Sequence, residues 1–184
     1  TDFNMYLVKS ENWNKAVTAA FKEAEIQERK NSVVVLDGFY GATPDWFKEG
    51  IAYQIFPDRF CNGTGEFLGN RTDIIKRNWG DTPFYSAEQF GGEYKSNDFF
   101  GGNLEGIISK LPYLEDLGIT VIYLNPIFKA ASNHKYDTGS YEEIDPMFGD
   151  EETFSRLCSE AKKRGIRIIL DGVFNHTGDD SLYF

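Results

Sequence analysis

The sequence predicts an α/β fold in which helices alternate with the strands of a parallel sheet. Three short runs, at residues 51–56, 119–124 and 166–170, are rich in the β-branched and aromatic residues typical of buried strands. Each of the two segments between them contains apolar residues at helical spacing. Strands that alternate with helices are joined by right-handed crossovers, which makes the sheet parallel.

Residues 1–44 differ from the segments that follow. Apolar residues recur at roughly helical spacing from Trp13 to Ile26, and residues 32–36 are a β-branched run. Glycine and proline at residues 41–44 indicate a boundary. We therefore predict an N-terminal leader region of one helix and one strand over residues 1–44, and a second domain over residues 45–184.

The first strand of the second domain, residues 51–56, stops at Pro57. A polar, glycine-rich stretch follows from residue 58 to residue 102. Connections between a strand and a helix usually span about 2–6 residues. A connection of this length is therefore expected to be functional or to be ordered by a metal ion.

A helix is predicted after this loop, with Asn103 as its N-cap. Pro112 should kink or restart the helix, and Gly118 should end it in a left-handed conformation. The apolar residues at helical spacing are Leu104, Ile107, Ile108, Leu111, Leu114 and Leu117.

The second strand, residues 119–124, is apolar throughout, as expected for a parallel strand that is covered on both faces. After a loop, Asp150 should cap a second helix that ends at Gly165. The third strand, residues 166–170, follows at once. The apolar positions of the second helix are Phe154, Leu157, Cys158 and Ala161.

Three polar side chains come just after the third strand, namely Asp171, Asn175 and His176. Side chains at the carboxyl ends of parallel strands face the ligand rather than the core. Burying such groups without a partner is costly, so their presence at this edge predicts a binding site.

The composition limits the possible partners. The formal net charge is −10, which disfavours nucleic acid and anionic membranes, whereas a neutral polyol would be indifferent to it. No apolar run reaches the roughly 18 residues that a membrane-spanning helix needs. We therefore expect neither a nucleic-acid nor a membrane partner.

Four segments, in this order along the chain, resemble the α-amylase family of glycoside hydrolases, in the form found in neopullulanases, cyclomaltodextrinases and amylopullulanases. They cover about residues 46–184, and four ordered matches are far more specific than one short motif. The segments are YQIFPDRF at 53–60, FGGNLEGI at 100–107, NPIF through SNHKYDT at 125–138 and DGVFNH at 171–176.

The resemblance implies that residues 45–184 are the first three βα units of a (β/α)8 TIM barrel, ending where the family's inserted second domain would begin. Three strands cannot close a barrel that needs eight. The open sheet edge of such an incomplete barrel is expected to favour self-association.

The resemblance also implies a retaining hydrolase that acts on α-glucans such as starch, pullulan or cyclodextrins. In that mechanism one carboxylate attacks the anomeric carbon and a second protonates the leaving oxygen. Both would come from later strands of the barrel. Neither His134 nor His176 is followed by Asp, as the family's later motif requires, and no predicted strand ends in the Arg-x-Asp nucleophile segment. We therefore expect this chain to have no catalytic residue and no hydrolytic activity on its own.

By resemblance, the chain supplies part of the site that holds the sugar. Tyr136 would place its ring against the glucose at the cleavage position, His176 would hydrogen-bond its primary hydroxyl, and His134 would reach the same or the neighbouring sugar. Asp171 would support the site by accepting a hydrogen bond from an arginine on the fourth strand. Without the ordered matches, Tyr136 would be assigned to packing and His134 to a solvated loop.

Some relatives bind calcium near the first strand, and the resemblance places its ligands at Asn62, Gly101, Asn103 and, in a second region, Asn175. Calcium prefers charged oxygen ligands, and two carboxylates of those relatives are replaced here by Thr64 and Asn103. A calcium site is therefore expected to be weak. The relatives also carry Asp at the position of Ser140, so one hydrogen bond of the sugar site is in doubt.

Other functions are compatible with the same residues. A non-catalytic α-glucan-binding module would keep Tyr136 and His176 without the carboxylates, and a transglycosylase would use the same scaffold. A structural relative, such as an ancillary subunit of an amino-acid transporter, would need a membrane helix that this sequence does not contain.

Overall fold

The computed structural model describes residues 44–183. The chain divides into two compact units, Thr1–Ile51 and Ala52–Phe184. The leader region predicted over residues 1–44, with its helix and its strand, lies outside the described residues, apart from Pro44. Helix α1, Asp45–Lys48, is the described element of the first unit.

The second unit is built on a three-stranded parallel sheet, and this confirms the predicted parallel α/β arrangement. The strands are β1 (Ala52–Ile55), β4 (Val121–Leu124) and β7 (Arg167–Leu170), and they lie side by side in that order. Ala52 is paired with Val121, which is paired in turn with Arg167. Each strand is one or two residues shorter than its predicted run. Because the strands are parallel, their carboxyl ends lie at one edge of the sheet.

Two helices connect these strands, and both begin at the predicted caps. In α2, Leu104–Asp116, the Asn103 side chain accepts a hydrogen bond from the Gly106 N–H at 2.9 Å. In α3, Glu151–Lys163, Asp150 accepts from the Thr153 N–H at 2.8 Å. Such bonds satisfy N–H groups that would have no partner within the helix. Among the described residues, no helix is long and apolar enough to cross a bilayer.

Helix α2 narrows one detail of the prediction and departs from another. It continues through Pro112, which is exposed, so of the two predicted outcomes the restart does not occur. Leu117, predicted to join the buried stripe, is 50% exposed and is the C-cap residue after the last helical residue, Asp116. Gly118 follows with φ +81°, as expected after a helix end.

The core lies between the sheet and the two helices. Its buried side chains come from every predicted strand and helix of this unit, which is the packing expected for helices that cover a parallel sheet. They include Ile55, Leu104, Ile107, Leu111, Leu114, Ile122, Leu124, Leu157, Ala161 and Ile166.

The two long loops contain short elements that the sequence did not predict. Strands β2 (Ile75–Lys76) and β3 (Asp98–Phe99) form a parallel pair within the first loop. Strands β5 (Phe128–Ala130) and β6 (Thr138–Ile144) form an antiparallel hairpin with an irregular register in the second. The loop between β5 and β6 carries His134 and Tyr136.

Candidate functional site

Asp171 is the first residue after β7, at the carboxyl edge of the sheet. Its backbone N–H donates to the Leu124 carbonyl at 3.0 Å, so the sheet pairing extends to this position. The Asp171 side chain is buried, and its Oδ2 accepts a hydrogen bond from the Tyr136 hydroxyl at 2.8 Å. The fold therefore brings together two predicted site residues that lie on different strand connections.

Burial and the neighbouring carboxylate of Asp171 both oppose the ionisation of Tyr136. Burial, the hydrogen bond to Asp171 and the negative charge of Asp171 all raise the pKa of the Tyr136 hydroxyl above its ordinary value of 10.0. The tyrosine therefore stays neutral at physiological pH and acts as the donor. The arginine that the resemblance pairs with Asp171 belongs to a later strand outside this chain, and within the described residues the Asp171 carboxylate accepts from Tyr136.

His134 lies beside Tyr136. The centroids of the two rings are 5.8 Å apart, and the His134 Nδ1 accepts a hydrogen bond from the Tyr136 backbone N–H at 3.1 Å. Asp137 closes the same loop by accepting bonds from the backbone N–H, at 2.9 Å, and the hydroxyl of Ser132. A tilted pair of rings next to a carboxylate offers apolar ring faces and hydrogen-bonding groups at one place.

His134 is expected to titrate below its ordinary pKa of 6.5, because burial lowers the pKa more than the Asp137 carboxylate raises it, and Lys135 lowers it further. The contribution of neutral His134 to the stability of the fold should be complete above pH 6.5, the ordinary pKa, and should be lost as the pH falls through the lower pKa of the folded state. Protonation then removes the acceptor for the Tyr136 N–H. An NMR pH titration, with His176→Gln to assign the imidazole signals, measures this midpoint. A midpoint at or above 6.5 would contradict the prediction.

His176 occupies a different setting from Tyr136. Its side chain is exposed and lines a cavity of about 390 Å³ together with Asn175 and three aromatic side chains. Tyr141, on β6, fixes this turn, because its single hydroxyl hydrogen is shared between the carbonyl of His176, at 3.1 Å, and that of Val173. The described contacts join Tyr136 to His134 on one side and to Asp171 on the other. They place His176 in this separate aromatic cavity, whose rings are Tyr141, Phe174 and Tyr183.

Sequence reasoning missed Tyr141. Nothing in the linear pattern distinguishes it from the other tyrosines of the chain, because its partners at residues 173–176 are more than thirty positions away. Its ring stacks on that of Tyr183 at 5.5 Å and lies 5.9 Å from that of Phe174. Tyr141 therefore links the β5–β6 hairpin to the turn that carries His176.

Three of the four residues predicted to bind calcium lie together, but their atoms do not suit a cation. Asn103 uses its Oδ1 to cap α2, so its Nδ2 points toward the Gly101 carbonyl at 3.3 Å and the Asn62 Oδ1 at 3.4 Å. A donor nitrogen thus lies among the oxygen atoms that calcium would need as ligands. Asn175 lines the aromatic cavity instead. No group of three or more His, Cys, Asp or Glu within residues 44–183 could hold a metal ion.

Two further sequence details can be placed. Arg71 and Asp73 have the spacing of an Arg-x-Asp segment, but they lie in the first long loop rather than at the end of a sheet strand. Arg71 donates to Asp73 and to the Ala131 carbonyl, so this pair is a loop contact. Ser140 is buried, and its Oγ accepts from the Glu142 N–H at 3.2 Å, so a local backbone bond occupies the position where the resemblance implies Asp.

Comparison with known proteins shows to which family the chain is similar. The family model described as "Alpha amylase, catalytic domain" matches residues 54–184. The amylopullulanase of Thermoanaerobacterium saccharolyticum is 51% identical over 158 residues, covering 77% of this chain and 12% of that protein. Neopullulanase 2 of Thermoactinomyces vulgaris is 48% identical over 144 residues, covering 77% of this chain and 22% of that protein.

A solved structure shows the same fold over the matched part. The ligand-free cyclic α-maltosyl-(1→6)-maltose hydrolase from Arthrobacter globiformis is 41% identical, with a TM-score of 0.65, and the match covers 77% of this chain and 29% of that chain. The present chain therefore spans less than a third of each of these relatives. From the family-model match and these identities, the chain belongs to the α-amylase family.

Proposed function

We propose that this chain forms part of the sugar-binding site of a retaining α-glucan hydrolase. The observation that carries the proposal is the hydrogen bond from Tyr136 to Asp171, which fixes an aromatic ring at the carboxyl edge of the sheet. Sugars present apolar C–H faces to aromatic rings and hydroxyl groups to imidazole nitrogens. Tyr136 and His134 together offer both kinds of contact.

The proposed substrate is an α-glucan of the starch, pullulan or cyclodextrin type. The names of the matched relatives support this class, since they include an amylopullulanase, a neopullulanase and a cyclic maltosyl-maltose hydrolase. The net charge of −10 does not oppose the binding of a neutral ligand. His176, beside the aromatic rings of its cavity, is proposed to contact the same glucan chain.

The three strands are proposed to be the first three βα units of an eight-stranded barrel. β1 and β7 stand at the two edges of the described sheet. In a complete barrel both would pair with further strands, and the nucleophile and the general acid would come from those strands. We propose that Asp171 has a supporting role and that this chain lacks the two catalytic carboxylates. The open edges would let the isolated chain self-associate.

The proposal is tested by adding maltotriose to the chain up to millimolar concentration and monitoring its binding by NMR. Tyr136→Ala should weaken binding about tenfold, equivalent to about 1.4 kcal/mol, because it removes the ring that faces the sugar. Tyr113→Ala is the matched control, since Tyr113 is an exposed tyrosine on α2 and should not change the affinity.

Three outcomes would count against the proposed function. If the spectra of the wild-type chain do not change at millimolar maltotriose, the chain does not bind this sugar. If the Tyr136→Ala and wild-type chains bind with equal affinity, Tyr136 is not part of the site. Release of reducing sugar from amylose by the purified chain would contradict the proposed separation of binding residues from the catalytic carboxylates.

A further inference from the structure

Lys135 stands between the two ring residues of the candidate site and has an unusual environment. Its side chain is fully buried, although lysine is among the residues least often buried without a partner. Its backbone has φ +63°, in the left-handed region that residues other than glycine seldom adopt. Both features impose a cost that neighbouring contacts must offset.

The contacts of the Lys135 ammonium group offset its burial. Nζ lies 2.7 Å from the Asp145 Oδ2 and donates to the Ala130 carbonyl at 2.9 Å. The rings of Phe99 and Phe148 are 5.0 Å and 5.4 Å away and add cation–π contacts. Burial lowers the pKa of Lys135 below its ordinary value of 10.5, while the charge of Asp145 opposes that shift.

Asp145 is itself held rigidly at the end of the β5–β6 hairpin. Its Oδ1 accepts from the Met147 N–H at 2.8 Å, and its Oδ2 accepts from the Ala130 N–H at 3.2 Å. The ion pair therefore ties the middle of the loop to both strands of the hairpin. A carboxylate with fixed partners is a suitable anchor for a buried cation.

The left-handed turn at Lys135 separates its side chain from those of its neighbours. Lys135 points into the core, whereas His134 and Tyr136 remain partly exposed with their rings 5.8 Å apart. On the other side of His134, Asn133 donates to the Asp98 carbonyl at 3.0 Å and to its Oδ1 at 2.9 Å. His134 is thus flanked by two buried anchors, one at position 133 and one at position 135.

We propose that Lys135 is a positioning residue of the glucan site: its buried ion pair with Asp145 fixes the left-handed turn that holds the rings of His134 and Tyr136 side by side. Its effect on sugar binding depends on the proposed function, whereas its effect on the two rings does not. The residue acts through its neighbours and need not touch the sugar.

The test uses the full 184-residue chain with isotopically labelled aromatic rings. The wild type should show a nuclear Overhauser cross-peak between the rings of His134 and Tyr136. Lys135→Met should lose this cross-peak and bind maltotriose about tenfold more weakly, while the amide signals of α2 and α3 stay unchanged. Lys129→Met is the matched control, because Lys129 forms an ion pair with Glu143 on the same hairpin but is half exposed.

The outcomes separate this proposal from the proposed function. A cross-peak of wild-type intensity in the Lys135→Met chain would overturn the positioning role, whatever the stability of that variant. If the wild type shows the cross-peak but does not bind maltotriose, the proposed function fails, and the cross-peak alone decides the role of Lys135. If Lys135→Met does not fold, Lys135→Gln decides, because it removes the charge on which the ion pair with Asp145 depends: a cross-peak equal to that of the wild type would overturn the proposal.

Discussion

Replacing Gly106 by alanine should destabilise the chain by about 3 kcal/mol, at the upper end of the usual cost of overfilling a packed interior. Gly106 lies in the first turns of α2, where the helix touches the loop that follows β1. A Cβ atom at this position would overlap the Cys61 carbonyl group and would lie 2.5 Å from its carbon atom. On the exposed face of a helix, replacing glycine by alanine stabilises the protein by about 1 kcal/mol. The expected destabilisation therefore depends on the contact between Gly106 and the Cys61 carbonyl.

The overlap cannot be relieved by rotating a side chain, since the atoms concerned belong to two backbones. The contact is close from the other side as well, because a Cβ on Gly63 would lie 2.7 Å from the Gly106 Cα. Urea unfolding followed by circular dichroism measures the change. Lys110→Ala, an exposed substitution on the same helix, should change the free energy of unfolding by less than about 0.5 kcal/mol. A Gly106→Ala chain as stable as the wild type would contradict the close packing of α2 against the backbone at Cys61.

Local patterns were sufficient to predict the framework of the second unit. The three strands and both helices follow from apolar periodicity, and the caps at Asn103 and Asp150 follow from side chains that can accept a hydrogen bond three residues ahead. These signals act over a few residues, so the sequence displays them directly. Errors occurred at element ends, as at Leu117, where a residue at the correct spacing falls beyond the last helical turn.

The candidate site was predicted less completely, because its contacts join distant segments. Tyr136, His134 and Asp171 were identified by resemblance, but the hydrogen bond between Tyr136 and Asp171 spans 35 positions and has no local signal. The burial of Lys135 could not be predicted for the same reason. A lysine between a histidine and a tyrosine in a polar loop would ordinarily be assigned to the surface.

The first long loop shows how such distant contacts produce order where the regular elements are only two residues long. Arg59 donates to Asp58 and, at 3.1 Å, to the Asp98 Oδ2. Asp98 in turn accepts from Asn133, which precedes His134. Each charged group in this chain of contacts has a partner of opposite charge or a hydrogen bond, as buried polar groups require. The loop is expected to be functional or ordered by a metal ion, and these ion pairs and hydrogen bonds contribute to its order.

Asp58→Ala should therefore destabilise the chain by about 3–5 kcal/mol, the usual cost of removing one partner from a buried ion pair. The Asp58 side chain is buried, and its carboxylate accepts from the Phe100 N–H at 3.1 Å and the Gly101 N–H at 3.0 Å, besides pairing with Arg59. Alanine would leave both N–H groups without an acceptor. Urea unfolding measures the loss. Asp73→Ala is the matched control: Asp73 also pairs with an arginine of this loop but is 65% exposed, so about 1 kcal/mol or less is expected.

The comparison with Asp58→Asn identifies the cause of the loss. Asparagine keeps one oxygen for the backbone N–H groups but gives up the charge that Arg59 needs, so an intermediate loss of about 2 kcal/mol is expected. If the asparagine variant loses as much as alanine, the charge pairing dominates; if it matches the wild type, the backbone bonds do. A loss below about 1 kcal/mol for Asp58→Ala would mean that the loop is ordered by something other than this network. Because Asp98 links Arg59 to Asn133, a destabilised Asp58→Ala chain should also bind maltotriose more weakly than the Asp73→Ala control.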